Sequence, residues 1–169
     1  DAFVLANLAL AVQAAGDAET ARQAIAKLQN LAQTDKESLF WTTPNTPFYG
    51  WGTTANIETT ALVVQAFLQT PDGKNNAQIS RGLSFILKNK DRYGVWHSTQ
   101  TTVNVLDALI LLQKARSNDA KNQNEKTEIF INGGKAGEFS ISDAGLKKPF
   151  VFDASPFLNA DRNRVEIKI

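Results

Sequence analysis

Residues 57–69, IETTALVVQAFLQ, form an apolar run of helical length that opens with a polar triplet. A run with the same pattern, a polar triplet followed by apolar residues, starts about 40 residues later, where QTT (100–102) leads into VNVLDALILLQ (103–113). Both follow loops rich in Gly and aromatic residues, Tyr49-Gly50-Trp51-Gly52 and Tyr93-Gly94-Val95-Trp96. A repeat of this period is typical of stacked helical hairpins.

The sequence on both sides of these runs predicts five helices of two alternating kinds. The first, third and fifth are apolar nearly all the way round and need cover on all sides: Ala2–Ala15, Ile57–Gln69 and Thr102–Gln113. The second and fourth carry a single apolar stripe: Ala18–Gln33 and Asn76–Lys88. The alternation predicts an inner layer of helices wrapped by an outer one. A closed ring of helical hairpins, an α/α-toroid, fits this pattern better than an open solenoid, in which each helix pair keeps an exposed side.

The composition of the chain changes once, near residue 118. We predict a helical domain over residues 1–118, a polar linker over 119–126 and a β-rich domain over 127–169. Four short β-type runs follow the linker: Thr127–Ile131, Glu138–Ile141, Phe150–Phe152 and Val165–Ile169. Asn132-Gly133 predicts a hairpin turn between the first two runs. The fold class is therefore mainly α with a small antiparallel β tail, and we expect no strand before residue 100.

Composition excludes several kinds of function. Eighteen Lys and Arg against 17 Asp and Glu leave a net charge of +1, which argues against a nucleic-acid binder. Without Cys the chain cannot form disulfides, thiolate metal sites or an internal thioester. A single His, His97, excludes a zinc site built on several imidazoles. We therefore expect no cofactor and no metal. No apolar run reaches the ~20 residues of a membrane span.

Two motifs carry a resemblance to a known family: Ile57-Glu58-Thr59-Thr60-Ala61-Leu62 and the turn from Tyr93 to Thr102, YGVWHSTQTT. Residues 1–118 resemble the thioester-containing α/α-toroid domain of the alpha-2-macroglobulin and complement family. Thr101 stands where many members have Asp or Ala. The β-rich tail is similar to part of the CUB-like domain that follows the toroid in this family. Met is absent even at position 1, so we interpret the chain as a piece of a longer protein.

The resemblance implies a function for that longer protein. In the family, proteolysis of a bait region exposes a Cys-containing thioester, which then acylates the protease. That thioester lies upstream of the region matched here, and so does the His that assists acyl transfer, so His97 does not inherit its role. The resemblance thus implies a non-catalytic structural segment of an endopeptidase inhibitor, a protease trap that is secreted or in the cell envelope, periplasmic if bacterial. Its partners would be proteases, through the full-length parent, and the rest of the parent.

The loops that precede the third and fifth helices hold the candidate binding residues. These are aromatic side chains together with the single histidine: Trp41, Phe48, Tyr49, Trp51, Tyr93, Trp96 and His97. They either form a sugar- or protein-contact patch or plug the end of the helical ring. His97 is a candidate general base, although a turn residue at a helix start is the better interpretation. Glu58 and Gln100, at the entry of buried helices, either line the toroid mouth or cap their own helices.

Two functions of other classes stay open beside the structural one. The first is a carbohydrate- or protein-binding module that uses the loop aromatics. The second is an enzyme on a toroid scaffold. The chain has no Asp-Asp pair for a terpenoid cyclase and no Cys for a prenyltransferase zinc site, whereas a lyase with a Tyr or His base is compatible with the composition.

Five helices make only part of a ring and leave apolar helix faces uncovered. We therefore expect the chain to self-associate, or else its β tail to fold back over the open side; the tail is short and mostly committed to its own strands, which favours self-association. Contiguous apolar patches of more than a few hundred Å² normally recruit a partner. Sedimentation velocity at micromolar concentration tests this expectation. A concentration-dependent rise in mass supports self-association, and a monomer that binds no apolar dye contradicts it.

Overall fold

The computed structural model describes residues 1–47, 50–71, 73, 77–117, 125–141 and 151–168. The chain divides into two compact units, residues 1–119 and residues 120–169. The first unit is helical and the second is built on an antiparallel sheet. The predicted fold class, mainly α with a β tail, is confirmed.

Five α-helices lie in the described part of the first unit: α1 (Ala2–Ala15), α2 (Ala18–Asn30), α3 (Gly52–Leu68), α4 (Ala77–Lys88) and α5 (Thr99–Ser117). Each overlaps one of the predicted runs. The boundaries differ most at α3 and α5, which begin in the loops that the sequence placed before them. Polar residues of those loops therefore belong to the helices.

Side-chain caps and one glycine set the ends of the first hairpin. The Asp1 carboxylate accepts a hydrogen bond from the Val4 N–H at 3.0 Å and begins α1. Asp17 accepts from the N–H of Thr20 at 3.0 Å and begins α2 in the same way. Between them Gly16 has a φ of 80°, a left-handed conformation that ends α1 at little cost only for a residue without a side chain. One residue pair, Gly16-Asp17, thus turns the chain back on itself.

The helices lie in two layers, and α3 is the central helix of the inner one. Helices α1 and α5 flank α3 in one layer, and α2 and α4 pack from a second layer. Helix α3 is buried from Ile57 through Leu68 on every side. In contrast, α1 and α5 each keep an apolar stripe exposed, with Val4 and Leu8 on α1 and with Val103, Leu106 and Ile110 on α5. The expectation that the apolar helices leave faces uncovered is therefore wrong for α3.

The expectation of no strand before residue 100 is also wrong. Strands β1 (Gln33–Asp35) and β2 (Ser38–Phe40) form an antiparallel hairpin between α2 and α3. Strand β1 is exposed and contains no apolar residue, so hydrophobic patterning did not predict it. The hairpin is held mainly by β2, which packs on α4. There the Phe40 ring stacks on Phe85 with centroids 4.8 Å apart. Tertiary packing here outweighs weak local propensity.

The second unit contains a three-stranded antiparallel sheet in the order β4-β3-β5. Its strands are β3 (Glu125–Ile131), β4 (Gly134–Ile141) and β5 (Val165–Lys168). The predicted Asn-Gly turn joins β3 to β4, and both of its residues have positive φ, 52° at Asn132 and 84° at Gly133.

The structure of this unit differs from the sequence expectations at two places. The predicted strand at 150–152 is wrong for Val151 and Phe152, which lie outside any strand, while Phe150 falls outside the described residues. Strand β3 begins inside the predicted linker 119–126, of which the residues before Glu125 are not described.

None of the helices that the structure describes combines the length and the hydropathy that crossing a bilayer requires.

Candidate functional site

Two buried tryptophans make the same pair of hydrogen bonds. The indole N–H of Trp41 donates to the Leu28 carbonyl near the end of α2 at 2.6 Å, and its backbone N–H donates to Thr60 Oγ1 on α3 at 3.1 Å. Trp96 repeats this pattern one hairpin later. Its indole N–H donates to the Ile86 carbonyl of α4 at 2.8 Å, and its backbone N–H donates to Thr102 Oγ1 on α5 at 3.2 Å. We call these two arrangements the tryptophan anchors.

The tryptophan anchors correct the loop alignment that the sequence suggested. The counterpart of Trp96 is Trp41, whereas the Gly-Trp pattern had paired Trp96 with Trp51. The error arose because the anchors differ in spacing: 19 residues separate Trp41 from its threonine, and 6 residues separate Trp96 from its own. The longer spacing accommodates the segment Thr42–Trp51.

The predicted aromatic cluster is divided between core and surface. Trp41 and Trp96 are buried, so neither can present its ring to a ligand at the surface. Trp51 and Tyr93 are 70% and 73% exposed. The Arg92 guanidinium lies 4.7 Å from the centroid of the Tyr93 ring. Phe48 and Tyr49 fall outside the described residues.

His97 occupies a strained turn. Its φ is 53°, and the Ser98 N–H donates to the Trp96 carbonyl across it at 2.5 Å. The Ser98 hydroxyl accepts from the Thr101 N–H at 3.0 Å and donates to Thr101 Oγ1 at 2.8 Å, so it caps α5. The geometry therefore matches a turn residue followed by a helix cap, and the hydroxyl of Ser98 is already engaged.

Glu58 is buried in the interior of α3 and does not cap that helix, because α3 begins at Gly52. Its Oε2 accepts a hydrogen bond from the Thr46 hydroxyl at 2.9 Å, and its Oε1 lies 3.4 Å from Asn104 Nδ2 on α5. The Gly50 N–H donates to Thr46 Oγ1 at 3.2 Å. We call Glu58, Thr46, Gly50 and Asn104 the Glu58 cradle.

Two further observations define the Glu58 cradle. A Cβ at Gly50 would lie 2.5 Å from Thr46 Oγ1 and 3.3 Å from Glu58 Oε2, so only glycine fits there without displacing the cradle. Burial raises the pKa of the Glu58 carboxyl, and the Thr46 hydrogen bond opposes part of that rise. The site thus favours the protonated carboxyl more than water does.

Gln100 joins the Glu58 cradle indirectly. It lies half-buried in the first turn of α5, and its Nε2 is 3.4 Å from Asn104 Oδ1. The two polar residues that the sequence singled out at helix starts are thus connected through Asn104. Sequence reasoning missed both Asn104 and Thr46. Asn104 could have been noticed as an amide inside an apolar run, whereas Thr46 gives no local signal.

No group of three His, Asp or Glu side chains that could hold a metal ion occurs among the residues whose positions are described. A groove of about 790 Å³ lies between the end of α1, α2 and the end of α3, lined in part by Gln13, Arg22 and Ile25. It contains none of the residues that the sequence nominated.

A family model described as the A-macroglobulin TED domain matches residues 1–111, which spans α1 through most of α5. No curated protein matches the chain.

Adjacent threonines of α3 test the first tryptophan anchor. Thr60→Val removes the acceptor of the buried Trp41 N–H, and we expect it to lower the free energy of unfolding by about 1–3 kcal/mol. Thr59→Val is the matched control, because Thr59 Oγ1 is equally buried but has no hydrogen-bond partner among the described residues. We expect that variant to be neutral or stabilising. Urea unfolding measures both, and equal losses would contradict the role of the anchor.

Proposed function

The chain belongs to the family of A-macroglobulin TED domains, and from this premise we propose that it is a non-catalytic structural segment of an alpha-2-macroglobulin-like endopeptidase inhibitor. The observation that carries the proposal is the family match over residues 1–111. In the inhibitor, the segment would hold its helices in a fixed arrangement while other parts of the protein meet the protease.

The packing of the helical unit supports a structural role. Several side-chain hydrogen bonds of the unit join one helix to another. The tryptophan anchors tie each outer helix to the inner helix that follows. Gln13 and Gln65 extend this pattern, since their side-chain amides donate to main-chain carbonyls of a neighbouring helix at 2.9 Å and 2.8 Å. Side chains used in this way stabilise the fold and are not free for chemistry.

The residues that could act in catalysis support the non-enzymatic part of the proposal. The chain has no Cys, so a thioester cannot form within it. Ser98 is engaged as a helix cap, and Glu58 is 1% exposed and lies against Thr46 and Gly50. A general base must reach its substrate within about 3 Å, which a covered carboxyl cannot do.

The family also suggests where the protein works and what it meets. We propose that it is secreted or held in the cell envelope, periplasmic if the source is bacterial. Its partners are then extracellular or envelope proteases, which the full-length inhibitor would trap after they cleave it. The rest of the inhibitor is the other partner, and the exposed stripes of α1 and α5 are apolar surface available for such contacts.

A second candidate function rests on the exposed rings of Trp51 and Tyr93. Exposed aromatic residues in loops are suited to stacking on sugars or to anchoring a protein partner. Under this alternative the chain is a binding module, and its affinity depends on these two rings rather than on the stability of the helical unit.

Protease inhibition by the gene product that carries this chain tests the proposal. A trap encloses the protease, so cleavage of a large protein substrate should fall while cleavage of a small peptide substrate persists. Phe67→Ala empties a fully buried position and should cost about 3–5 kcal/mol of stability, so inhibition should be lost at a lower temperature. Leu87→Ala, at an exposed position of α4, is the matched control.

Two results would contradict the proposal. Loss of partner binding in Trp51→Ala or Tyr93→Ala at unchanged stability would favour the binding module. Turnover of an ester, peptide or glycan by the chain that disappears in His97→Ala would show an enzyme.

A further inference from the structure

The side chain of Asn132, in the turn between β3 and β4, is held by three hydrogen bonds. Its Nδ2 donates to the Phe157 carbonyl oxygen and to Asn163 Oδ1, both at 2.8 Å. Its Oδ1 accepts from the Arg164 N–H at 3.0 Å. All three partners lie in residues 157–168, the segment that ends in β5, which we call the β5 segment. A turn residue thus holds a part of the chain that is distant in the sequence.

These contacts extend the pairing of β3 with β5 by one position. The ladder between the two strands ends with Ile131 opposite Val165. One position further on, the Asn132 N–H donates to the Arg164 carbonyl at 2.9 Å, and the Arg164 N–H donates back to the Asn132 side chain. Strand β5 has four residues and lies at the edge of the described sheet, where Val165 and Ile167 are exposed. Because β5 buries little apolar surface, it depends on directed contacts such as these to stay docked.

Asn132 also belongs to the only Asn-Gly pair in the sequence. Such a pair is chemically labile, because the glycine nitrogen, unhindered by a side chain, can attack the carboxamide carbon. A bond forms between Gly133 N and Asn132 Cγ, the nitrogen gives its proton to solvent, and the Cγ–Nδ2 bond breaks to release ammonia. Water then opens the cyclic imide at either of its carbonyls and gives aspartate or isoaspartate. In the overall reaction a water is taken up and an ammonia is lost, without any oxidant or reductant.

The fold opposes this reaction at its first step. Attack converts the planar carboxamide of Asn132 into a tetrahedral centre and draws it toward the Gly133 nitrogen, which displaces Oδ1 and Nδ2 from their partners. The leaving nitrogen, Nδ2, is the atom that makes two of the three bonds. The turn also restricts the backbone, since Asn132 and Gly133 both have positive φ, 52° and 84°. Docking of the β5 segment therefore slows the reaction of Asn132.

The product of the reaction does not fit the docked arrangement. Deamidation replaces Nδ2, which is a donor, with a carboxylate oxygen, which only accepts. That oxygen would face the Phe157 carbonyl oxygen and Asn163 Oδ1, which are both acceptors. Isoaspartate in addition places an extra methylene group in the main chain at the turn and shifts the N–H that pairs with Arg164. The β5 segment is therefore bound less tightly once Asn132 has reacted.

We propose that Asn132-Gly133 is a deamidation site guarded by the β5 segment, so that detachment of this segment is converted into a permanent covalent change at the edge of the sheet. While the segment is docked, Asn132 is protected. Each opening exposes the turn to reaction, and the product disfavours closing. The inference concerns the β-rich unit alone and does not depend on the proposed inhibitor function.

Peptide mass spectrometry of the purified chain tests the proposal. The chain is incubated in mildly alkaline buffer, which promotes loss of the Gly133 proton, and aspartate and isoaspartate at position 132 are separated by chromatography and followed with time. A synthetic peptide of residues 128–136 is the unprotected reference. We expect the folded chain to react at least about tenfold more slowly than the peptide, because three hydrogen bonds must open first. Equal rates overturn the proposal.

Two alanine variants of one loop separate guarding by the β5 segment from a general slowing in any folded chain. Asn163→Ala removes an acceptor of Asn132 Nδ2, and we expect deamidation at position 132 to accelerate about three- to tenfold. Asn159→Ala is the matched control, because the contacts of Asn159 in the described structure use only its main-chain N–H and carbonyl. That variant should react at the wild-type rate. Equal rates in the two variants contradict the proposal.

Asn132→Asp reproduces one of the two products and tests whether the reaction loosens the β5 segment. We expect amide exchange at Arg164 and along β5 to become about tenfold faster, because the new oxygen faces two acceptors. Asn159→Asp places the same charge in the same loop and should leave this exchange unchanged. Wild-type protection of the Arg164 amide in Asn132→Asp would overturn the claim that the product disfavours closing. If that variant does not fold, the deamidation rates of the wild type and the alanine variants still decide.

Discussion

The arrangement of α2, α3 and the loop between them is built around one buried directed contact, the hydrogen bond from the Trp41 backbone N–H to the Thr60 hydroxyl. Together with the indole bond to Leu28 it joins the end of α2, the loop and α3 at one fully buried residue. The ring then meets Phe67 edge to face at 5.6 Å, so the same side chain also fills the core. Trp96 repeats the arrangement for α4 and α5. The orientation of each hairpin is therefore fixed by two directed bonds in addition to non-directional apolar burial.

The sequence predicted the helices well, because hydrophobic periodicity over a dozen or more residues is a strong signal. The Asn132-Gly133 turn was equally predictable, since its conformation depends on those two residues alone. Features that depend on residues distant in the sequence could not be predicted in this way. The hairpin of β1 and β2 depends on packing against α4, and the true partner of Trp96 was hidden by the unequal loop lengths.

In the candidate site, too, the residues could be selected from the sequence but their contacts could not. Glu58 and Gln100 could be selected from the sequence as polar residues at the edge of apolar runs. Their connection through Asn104 could not, because it requires knowing that α3 and α5 are neighbours with their polar positions facing each other. Likewise the sequence named six aromatic residues as one group, but burial separates Trp41 and Trp96 from Trp51 and Tyr93. Residue type identified the candidates, and only the fold could assign them to core or surface.

Amide hydrogen exchange at the two anchor tryptophans tests the central claim most directly. Trp41 and Trp96 lie outside the helices and strands, where backbone amides normally exchange quickly. If the anchors hold the hairpins together, their N–H groups exchange as slowly as the central amides of α3, through global unfolding. The Tyr93 N–H, which donates to Asp91 at an exposed position, serves as the fast reference. Exchange of the tryptophan amides at the rate of Tyr93 would contradict the account.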